Sequence, residues 1–200
     1  MNAKTEKTEQ GEEPDVAANA STSAASSDEE RLPELARRAV ETYVSAQRVL
    51  DAADVSDSSL LGQRAACFVS IKTVEGDLRG CIGTVEPAKA TLAEELVANA
   101  ISAATRDPRF MPVEISELPR LRYSVDVLSP PEPTSFKELN PKTYGVIVED
   151  AQGWRRGLLL PDIEGVETAE QQFQIAARKA GIRPDADVRL YRFEVRRFGE

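Results

Sequence analysis

The sequence predicts an α+β fold with a mixed, mainly antiparallel sheet. About three segments have the apolar periodicity or capping residues of helices, and about six have the β-branched content of strands. Two pairs of strands are separated only by short turns, which predicts hairpins. Helices and strands do not alternate regularly, as a doubly wound parallel sheet would require.

The first 28 residues differ in composition from the rest of the chain. They are rich in Ala, Ser, Thr and Glu and contain almost no large apolar side chains, so they cannot offset the entropy lost on ordering. Residues 1–30 carry eight acids and two lysines, a charge of −6 out of the total of −9. We therefore expect a disordered acidic tail over residues 1–28 and one folded α+β domain over residues 29–200.

Three helices are expected in the folded part. Apolar residues recur at helical spacing from Pro33 to Asp51. Thr91 and Glu94 have the spacing of a capping box and begin a second helix that ends near Arg106. A third helix begins with the capping box "TAEQ" at residues 168–171 and ends at Gly181, where the left-handed conformation is expected.

Strands are indicated by short β-branched and aromatic runs bounded by turn residues. The "VEGD" turn joins the first two strands into a hairpin, and "AQGW" joins a later pair. The expected strands are "AACFVSIK", "LRGCIG", "RYSVDVL", "GVIVED", "RRGLLL" and residues 188–195.

Composition limits the function classes. No apolar run approaches the roughly 18 residues of a membrane span, and no secretion signal is visible, so a cytoplasmic location is expected. Two cysteines without metal-ligand spacing fit a reducing compartment and predict no metal site. The chain contains no histidine, which removes the usual general base near neutral pH.

The first hairpin predicts the surroundings of Cys81. If Glu75 and Gly76 form a two-residue turn, Cys81 lies opposite Ser70, and Cys67 lies opposite Thr84 on the other face. Because side chains alternate, Cys67, Leu78 and Ile82 should then face the core, whereas Arg79, Cys81 and Gly83 share a mostly polar face. A disulfide between the two cysteines is disfavoured by this arrangement.

Two interpretations of Cys81 remain open at this stage. In the functional one, Arg79 favours the Cys81 thiolate, and Gly80 and Gly83 leave space for a ligand to approach. In the structural one, Gly80 and Gly83 mark a bulge and Cys81 is an inert small side chain.

Two further segments are candidates for binding. In "RDPRF", Asp107 and Arg109 could belong to an arginine fork that binds a carboxylate or phosphate, or to a loop that ends a helix. The "LSPPEP" segment at residues 128–133 is an extended strand exit, with polyproline recognition as the functional alternative.

Several motifs together resemble one family. "LRGCIGT", "DPRFMPVE", "VLSPPEP" and "RRGLLLPDIEGVETAEQQFQIAARKAGI" occur in the order typical of the AMMECR-one domain family, from about Leu35 to Phe198. Met111 stands where the family more often has proline. The resemblance implies a larger and a smaller subdomain with "LRGCIG" near the cleft between them. It also implies the AmmeMemoRadiSam system, whose other members are a Memo-like protein and a radical S-adenosylmethionine enzyme.

The leading functional hypothesis is an enzyme or enzyme component that acts on a small anionic substrate. Cys81 would be the nucleophile or thiolate contact, Arg79 and Arg109 would bind the anion, and Asp107 would orient these groups or act as acid or base. The alternative is a non-catalytic adaptor that binds a Memo-like or radical S-adenosylmethionine partner. The motifs identify no reaction and no cofactor. The acidic net charge disfavours nucleic-acid binding.

Overall fold

The computed structural model describes the backbone of residues 16–52, 59–183 and 185–199, and side chains from Glu30 onward within these ranges. The α+β prediction with antiparallel pairing is confirmed. The described helices are α1 Val16–Ala46, α2 Leu92–Thr105 and α3 Ala169–Lys179. The described strands are β1 Ala66–Thr73, β2 Leu78–Gly83, β3 Leu121–Leu128, β4 Glu132–Pro133, β5 Gly145–Asp150, β6 Arg156–Leu159, β7 Val188–Phe193 and β8 Val195–Phe198.

The strands form two four-stranded sheets, each packed against helices. The larger unit is the sheet β2-β1-β3-β8 with α1 and α2, and the smaller unit is the sheet β4-β7-β5-β6 with α3. Each unit has its own apolar core. A third cluster, which includes Ala66, Leu128, Ile147 and Phe193, joins the two sheets. Two subdomains in contact are therefore present, as the resemblance implies.

Helix α1 differs from the expected helix at both ends. It spans Val16–Ala46, so Pro33 lies inside it rather than in its first turn. The residues ahead of Leu32 are mostly Ala, Ser and Glu and lack the apolar period on which the prediction relied. The helix ends before Asp51 because Gln47 adopts a left-handed conformation with φ of 52°. The expected disorder of residues 1–28 falls partly outside the described residues and stays a prediction.

The other two helices begin and end as expected. The Thr91 and Thr168 side chains each accept a hydrogen bond from the N–H three residues later, and both capping boxes are complete. Gly181, after α3, has a φ of 64°, the left-handed conformation that glycine adopts without steric cost. Capping boxes and a glycine after the last turn act within a few residues, so they can be predicted without knowledge of tertiary contacts.

Near its end the chain crosses between the sheets. The single strand expected over residues 188–195 is two strands, β7 in the smaller sheet and β8 in the larger, separated at Glu194. Opposite Glu194, the "LSPPEP" segment passes from β3 to β4 in the reverse direction, and Ser129 binds Glu194 through two hydrogen bonds. None of the described helices is long and apolar enough to cross a membrane.

Candidate functional site around Cys81

The β1–β2 hairpin places Cys81 opposite Ser70, as predicted, although the turn differs from the expected one. The backbone N–H of Thr73 donates to the Asp77 carbonyl, and the Thr73 carbonyl accepts the N–H of Gly76, whose φ is 98°. Three residues, 74–76, therefore form the tip of the turn instead of the expected two. A bulge then follows, because Lys72 pairs with Leu78 whereas Ile71 pairs with Gly80. The longer turn shifts the pairing of β2 with β1 by one residue, and the unpaired residue Arg79 shifts it back. Cys81 therefore lies opposite Ser70, as the two-residue turn had predicted.

The region between the tip and the bulge is where the predicted faces are wrong. Leu78 was expected in the core, but it lies opposite Lys72 and is 40 % exposed. Beyond the bulge the pairing is the expected one. The backbone N–H of Thr84 donates to the carbonyl of Cys67, so these two residues lie opposite each other as predicted.

The two cysteines have different environments, and both are free thiols. Cys67 is fully buried, and burial raises the pKa of its thiol to about 12. The Sγ of Cys81 is half-buried and accepts a hydrogen bond from the Ser70 hydroxyl at 3.3 Å. Of the two thiols, only Cys81 lies where a solute could reach it.

Asp107 joins the loop after α2 to the edge strand β2. Its carboxylate, 2 % exposed, accepts the Cys81 backbone N–H at 2.8 Å. The same carboxylate accepts the Arg109 backbone N–H at 3.1 Å and two guanidinium N–H groups at 3.0 and 2.7 Å. The Arg109 hydrogen bonds, and then the two backbone N–H groups, hold the pKa of Asp107 far below its ordinary value. These contacts favour the orienting role expected for Asp107 over the acid role, since a carboxyl group with a lowered pKa is ionised at neutral pH.

Arg79 was expected to act on the Cys81 thiol, and its guanidinium is instead paired with a carboxylate. Its Nε and one terminal nitrogen bind the two carboxylate oxygens of Glu117 at 2.7 and 3.0 Å. The same terminal nitrogen is 3.4 Å from the Pro112 carbonyl. The charge of Arg79 is therefore taken up by a carboxylate 38 residues away in sequence.

Arg109 is linked to Cys81 through Asp107, because one carboxylate oxygen, Oδ2, accepts both an Arg109 guanidinium N–H at 2.7 Å and the Cys81 backbone N–H at 2.8 Å. The hydrogen bonds to Asp107 raise the pKa of Arg109 above its ordinary value. More than half of its side chain is exposed, so it is available to solutes even while it is paired with Asp107.

The two arginines of the sequence analysis do converge, around Phe110. The guanidinium carbon of Arg79 lies 5.9 Å from the centroid of the Phe110 ring, and that of Arg109 lies 5.4 Å from it. These are cation–π distances. Phe110 is thus shared by two ion pairs, Arg79–Glu117 and Asp107–Arg109, which fix the segment 107–117 against β2.

Gly80 and Gly83 serve close packing in this structure. A Cβ on Gly80 would lie 2.2 Å from the Ala103 carbonyl oxygen, so the glycine lets α2 approach the strand. A Cβ on Gly83 would lie 2.2 Å from the Phe68 ring, which occupies the space expected to be vacant. The expectation of a ligand-sized space at Gly83 is therefore wrong.

A buried polar network behind the strand had no signal in the sequence. Glu95, 1 % exposed, accepts from the Thr84 hydroxyl at 2.6 Å and from the Ala88 and Lys89 N–H groups at 2.8 and 2.7 Å. Asn99 donates to the Cys67 carbonyl at 3.0 Å. The hydrogen bonds of Glu95 fix the loop that follows β2. The sequence could not indicate them, because a single glutamate in a helix usually faces solvent.

A cleft of about 480 Å³ lies apart from Cys81, where β1 begins and β3 ends. Ser129, Pro130 and Pro131 of the "LSPPEP" segment line it, together with Arg64 and Arg196. Cys81 does not line this cleft.

Two other kinds of site find little support. Within the described ranges, no three acidic or cysteine side chains cluster in a way that could hold a metal ion. Nucleic-acid binding, which the acidic net charge disfavours, is further opposed by the pairing of four arginines with carboxylates: Arg156 and Arg189 with Glu149, Arg192 with Glu132, and Arg197 with Asp126.

Comparison with known proteins identifies the family. The AMMECR1 family pattern matches residues 33–198, which is most of the chain. The chain belongs to the AMMECR1 family. This match covers the Cys81 hairpin, the Asp107–Arg109 pair and both sheets.

Proteins of other organisms are similar to this chain over most of its length. A Thermotoga maritima protein is 52 % identical over 163 residues, which cover 80 % of this chain and 92 % of that protein. A Clostridium acetobutylicum protein is 42 % identical over 167 residues, and there the match covers 83 % of this chain but 35 % of the longer protein. The crystal structure of an uncharacterised Pyrococcus horikoshii protein superposes with a TM-score of 0.77 at 32 % identity, covering 86 % of this chain and 90 % of that one. The fold of this chain is thus similar to one that has been solved by crystallography.

Proposed function

We propose that the protein is an enzyme or enzyme component that binds a small anionic substrate at Cys81 and Arg109. The observation that carries the proposal is that one Asp107 oxygen binds both the backbone of Cys81, whose thiol is half-buried, and the guanidinium of Arg109, whose side chain is more than half exposed. An arginine can bind a carboxylate or phosphate through the N–H groups that its own carboxylate partner leaves free.

Each of the three residues at the proposed site has a separate role in binding or reaction. Arg109 holds the anionic group of the substrate, and Cys81 contacts or attacks the reacting part. Asp107 fixes both groups, because one carboxylate binds the Cys81 backbone and the Arg109 guanidinium. The chain contains no histidine, and the lowered pKa of Asp107 makes its carboxylate a weak proton acceptor, so the proton of the Cys81 thiol passes to solvent or to the substrate.

A thermal-shift screen of carboxylates and phosphate monoesters tests the proposal. An active compound should raise the melting temperature of the native protein and slow iodoacetamide alkylation of Cys81. Both effects should be lost in Arg109→Gln and kept in Arg106→Gln, an exposed arginine of the same loop. A screen in which no stabilising compound depends on Arg109 would reject the proposal.

The adaptor is a second candidate, favoured by exposed apolar side chains beside the site. Met111 is 81 % exposed and Ile115 is 61 % exposed, on either side of the Pro112 carbonyl that faces Arg79. Large exposed apolar groups mark interfaces when they cluster. The partners would be the Memo-like protein and the radical S-adenosylmethionine enzyme of the AmmeMemoRadiSam system, and the location would be the cytoplasm.

Mixing with the purified partners tests the adaptor. Co-elution on gel filtration should be lost in a Met111→Ser/Ile115→Ser double variant and kept in Cys81→Ser. If Cys81→Ser loses binding while the double variant keeps it, or if no complex forms, the adaptor interface is not at this surface.

A further inference from the structure

The cleft where β1 begins and β3 ends is built from segments that are each held in place. Buried Glu95 binds the Ala88 and Lys89 N–H groups and so fixes the loop after β2, which supplies Val85 to the cleft. On the opposite wall, Ser129 and Glu194 are joined by two hydrogen bonds. A cavity whose walls are fixed before a ligand arrives loses little entropy on binding.

The lining of the cleft combines an apolar body with cations at the rim. Val85, Leu128, Pro130 and Pro131 provide apolar surface. Its volume of about 480 Å³ is within the range of roughly 300–1,000 Å³ that is typical of small-molecule sites. A cleft of this volume with an apolar lining fits a compact ligand that has an apolar body.

The two arginines of the cleft have no carboxylate partner among the described residues. Arg64 donates to the Pro87 carbonyl at 2.7 Å, and Arg196 lies 5.1 Å from the centroid of the Phe198 ring. The neighbouring Arg197, by contrast, pairs with Asp126 at 2.7 Å. Glu194 also lines the cleft, so its three ionised side chains leave one net positive charge.

We propose that this cleft binds a small carboxylate with an apolar, aryl or alkyl body. The apolar part packs against Val85, Leu128 and the two prolines, and the carboxylate is held by Arg196 and Arg64. Because Cys81 does not line the cleft, this is a second site, and it can fail or succeed independently of the site proposed at Cys81.

Two probes of equal shape and different charge test the proposal. Titration of the ¹⁵N-labelled protein with 1-naphthoate should shift the backbone amides of Val85, Leu128 and Ser129, and the neutral 1-naphthamide should bind about tenfold more weakly. Arg196→Gln and Arg64→Gln should each weaken naphthoate binding by about the same factor, since each removes a charged hydrogen-bond donor. Arg38→Gln, an exposed arginine of α1 outside the cleft, is the matched control and should bind naphthoate as the wild type does.

Three results would overturn the proposal. These are naphthoate shifts confined to amides outside the cleft, naphthamide binding as tight as naphthoate binding, and undiminished binding by both arginine variants with unchanged spectra elsewhere. The absence of any shift at millimolar naphthoate would overturn it equally.

Discussion

Asp107→Asn is predicted to destabilise the fold by about 2 kcal/mol at neutral pH. The wild-type carboxylate accepts four N–H groups, two from the backbone of Cys81 and Arg109 and two from the Arg109 guanidinium. The guanidinium is largely exposed and can be solvated again, so its loss contributes little. Asn keeps one of the two oxygens, so one of the two backbone N–H groups loses its acceptor, which costs roughly 1–3 kcal/mol.

The stabilisation by Asp107 should also depend on pH, and the direction of that dependence is fixed by the lowered pKa of the carboxyl group. The pKa of Asp107 in the folded protein lies below the value of about 3.9 of an unfolded chain. The stabilisation by Asp107 is therefore complete above about pH 5 and is lost as the pH falls through 4 towards the folded pKa. The difference in unfolding free energy between wild type and Asp107→Asn should shrink by about 1 kcal/mol between pH 7 and pH 3.

Urea denaturation followed by circular dichroism measures both effects, and the chain offers a matched control. Asp185 binds Arg183 with the same two-residue spacing, at 3.0 and 2.6 Å, but both side chains are mostly exposed. Asp185→Asn should change stability by less than about 0.5 kcal/mol. Equal urea midpoints for wild type and Asp107→Asn, or equal losses in the two variants, would refute the account of Asp107 as the anchor of the strand edge.

Three further predictions concern the surrounding packing. Gly80→Ala should cost about 2–4 kcal/mol in urea denaturation, because its Cβ would meet the Ala103 carbonyl at 2.2 Å; an unchanged midpoint would contradict that contact. Cys67, with a pKa of about 12, should resist iodoacetamide at pH 8 until the protein unfolds, whereas Cys81 reacts in the native state, as mass spectrometry of each cysteine peptide would show. Tyr123→Phe should be neutral or slightly stabilising in thermal melts, since the buried Tyr123 hydroxyl has no hydrogen-bond partner within the described part of the chain; a loss above 1 kcal/mol would reveal a partner.

The parts of the fold that the sequence predicts well are those set by neighbouring residues. The capping boxes at Thr91 and Thr168 and the left-handed Gly181 act within a few residues, and the structure has all three. The opposition of Cys81 and Ser70 was predicted from an incorrect turn, and it holds because the bulge at Arg79 compensates for the longer tip. A bulge marked by Gly80 was one of the two interpretations left open by the sequence, and the structure has the extra residue, Arg79, directly before that glycine.

The site was harder to predict because its partners are distant in sequence. Asp107 and Arg109 are neighbours and were correctly grouped, but the bond from Asp107 to the Cys81 backbone spans 26 residues. Glu117, which takes up the charge of Arg79, lies in a 3₁₀ helix, Ile115–Arg120, that the strand and helix patterns did not indicate. The space beside Gly83 is a different case, because it is filled by Phe68, the residue directly opposite Gly83 in the β1–β2 hairpin, and only the orientation of that ring was not foreseen.

The most direct test of the central claim compares a charged and a neutral alkylating reagent at Cys81. If Arg109 directs anions to the thiol, the ratio of iodoacetate to iodoacetamide rates at low ionic strength should be severalfold higher in the native protein than in the urea-unfolded chain. The ratio should fall to the unfolded value in Arg109→Gln and remain high in Arg109→Lys and in Arg106→Gln. A native ratio equal to the unfolded one, or one that Arg109→Gln leaves unchanged, would contradict an anion site at Cys81.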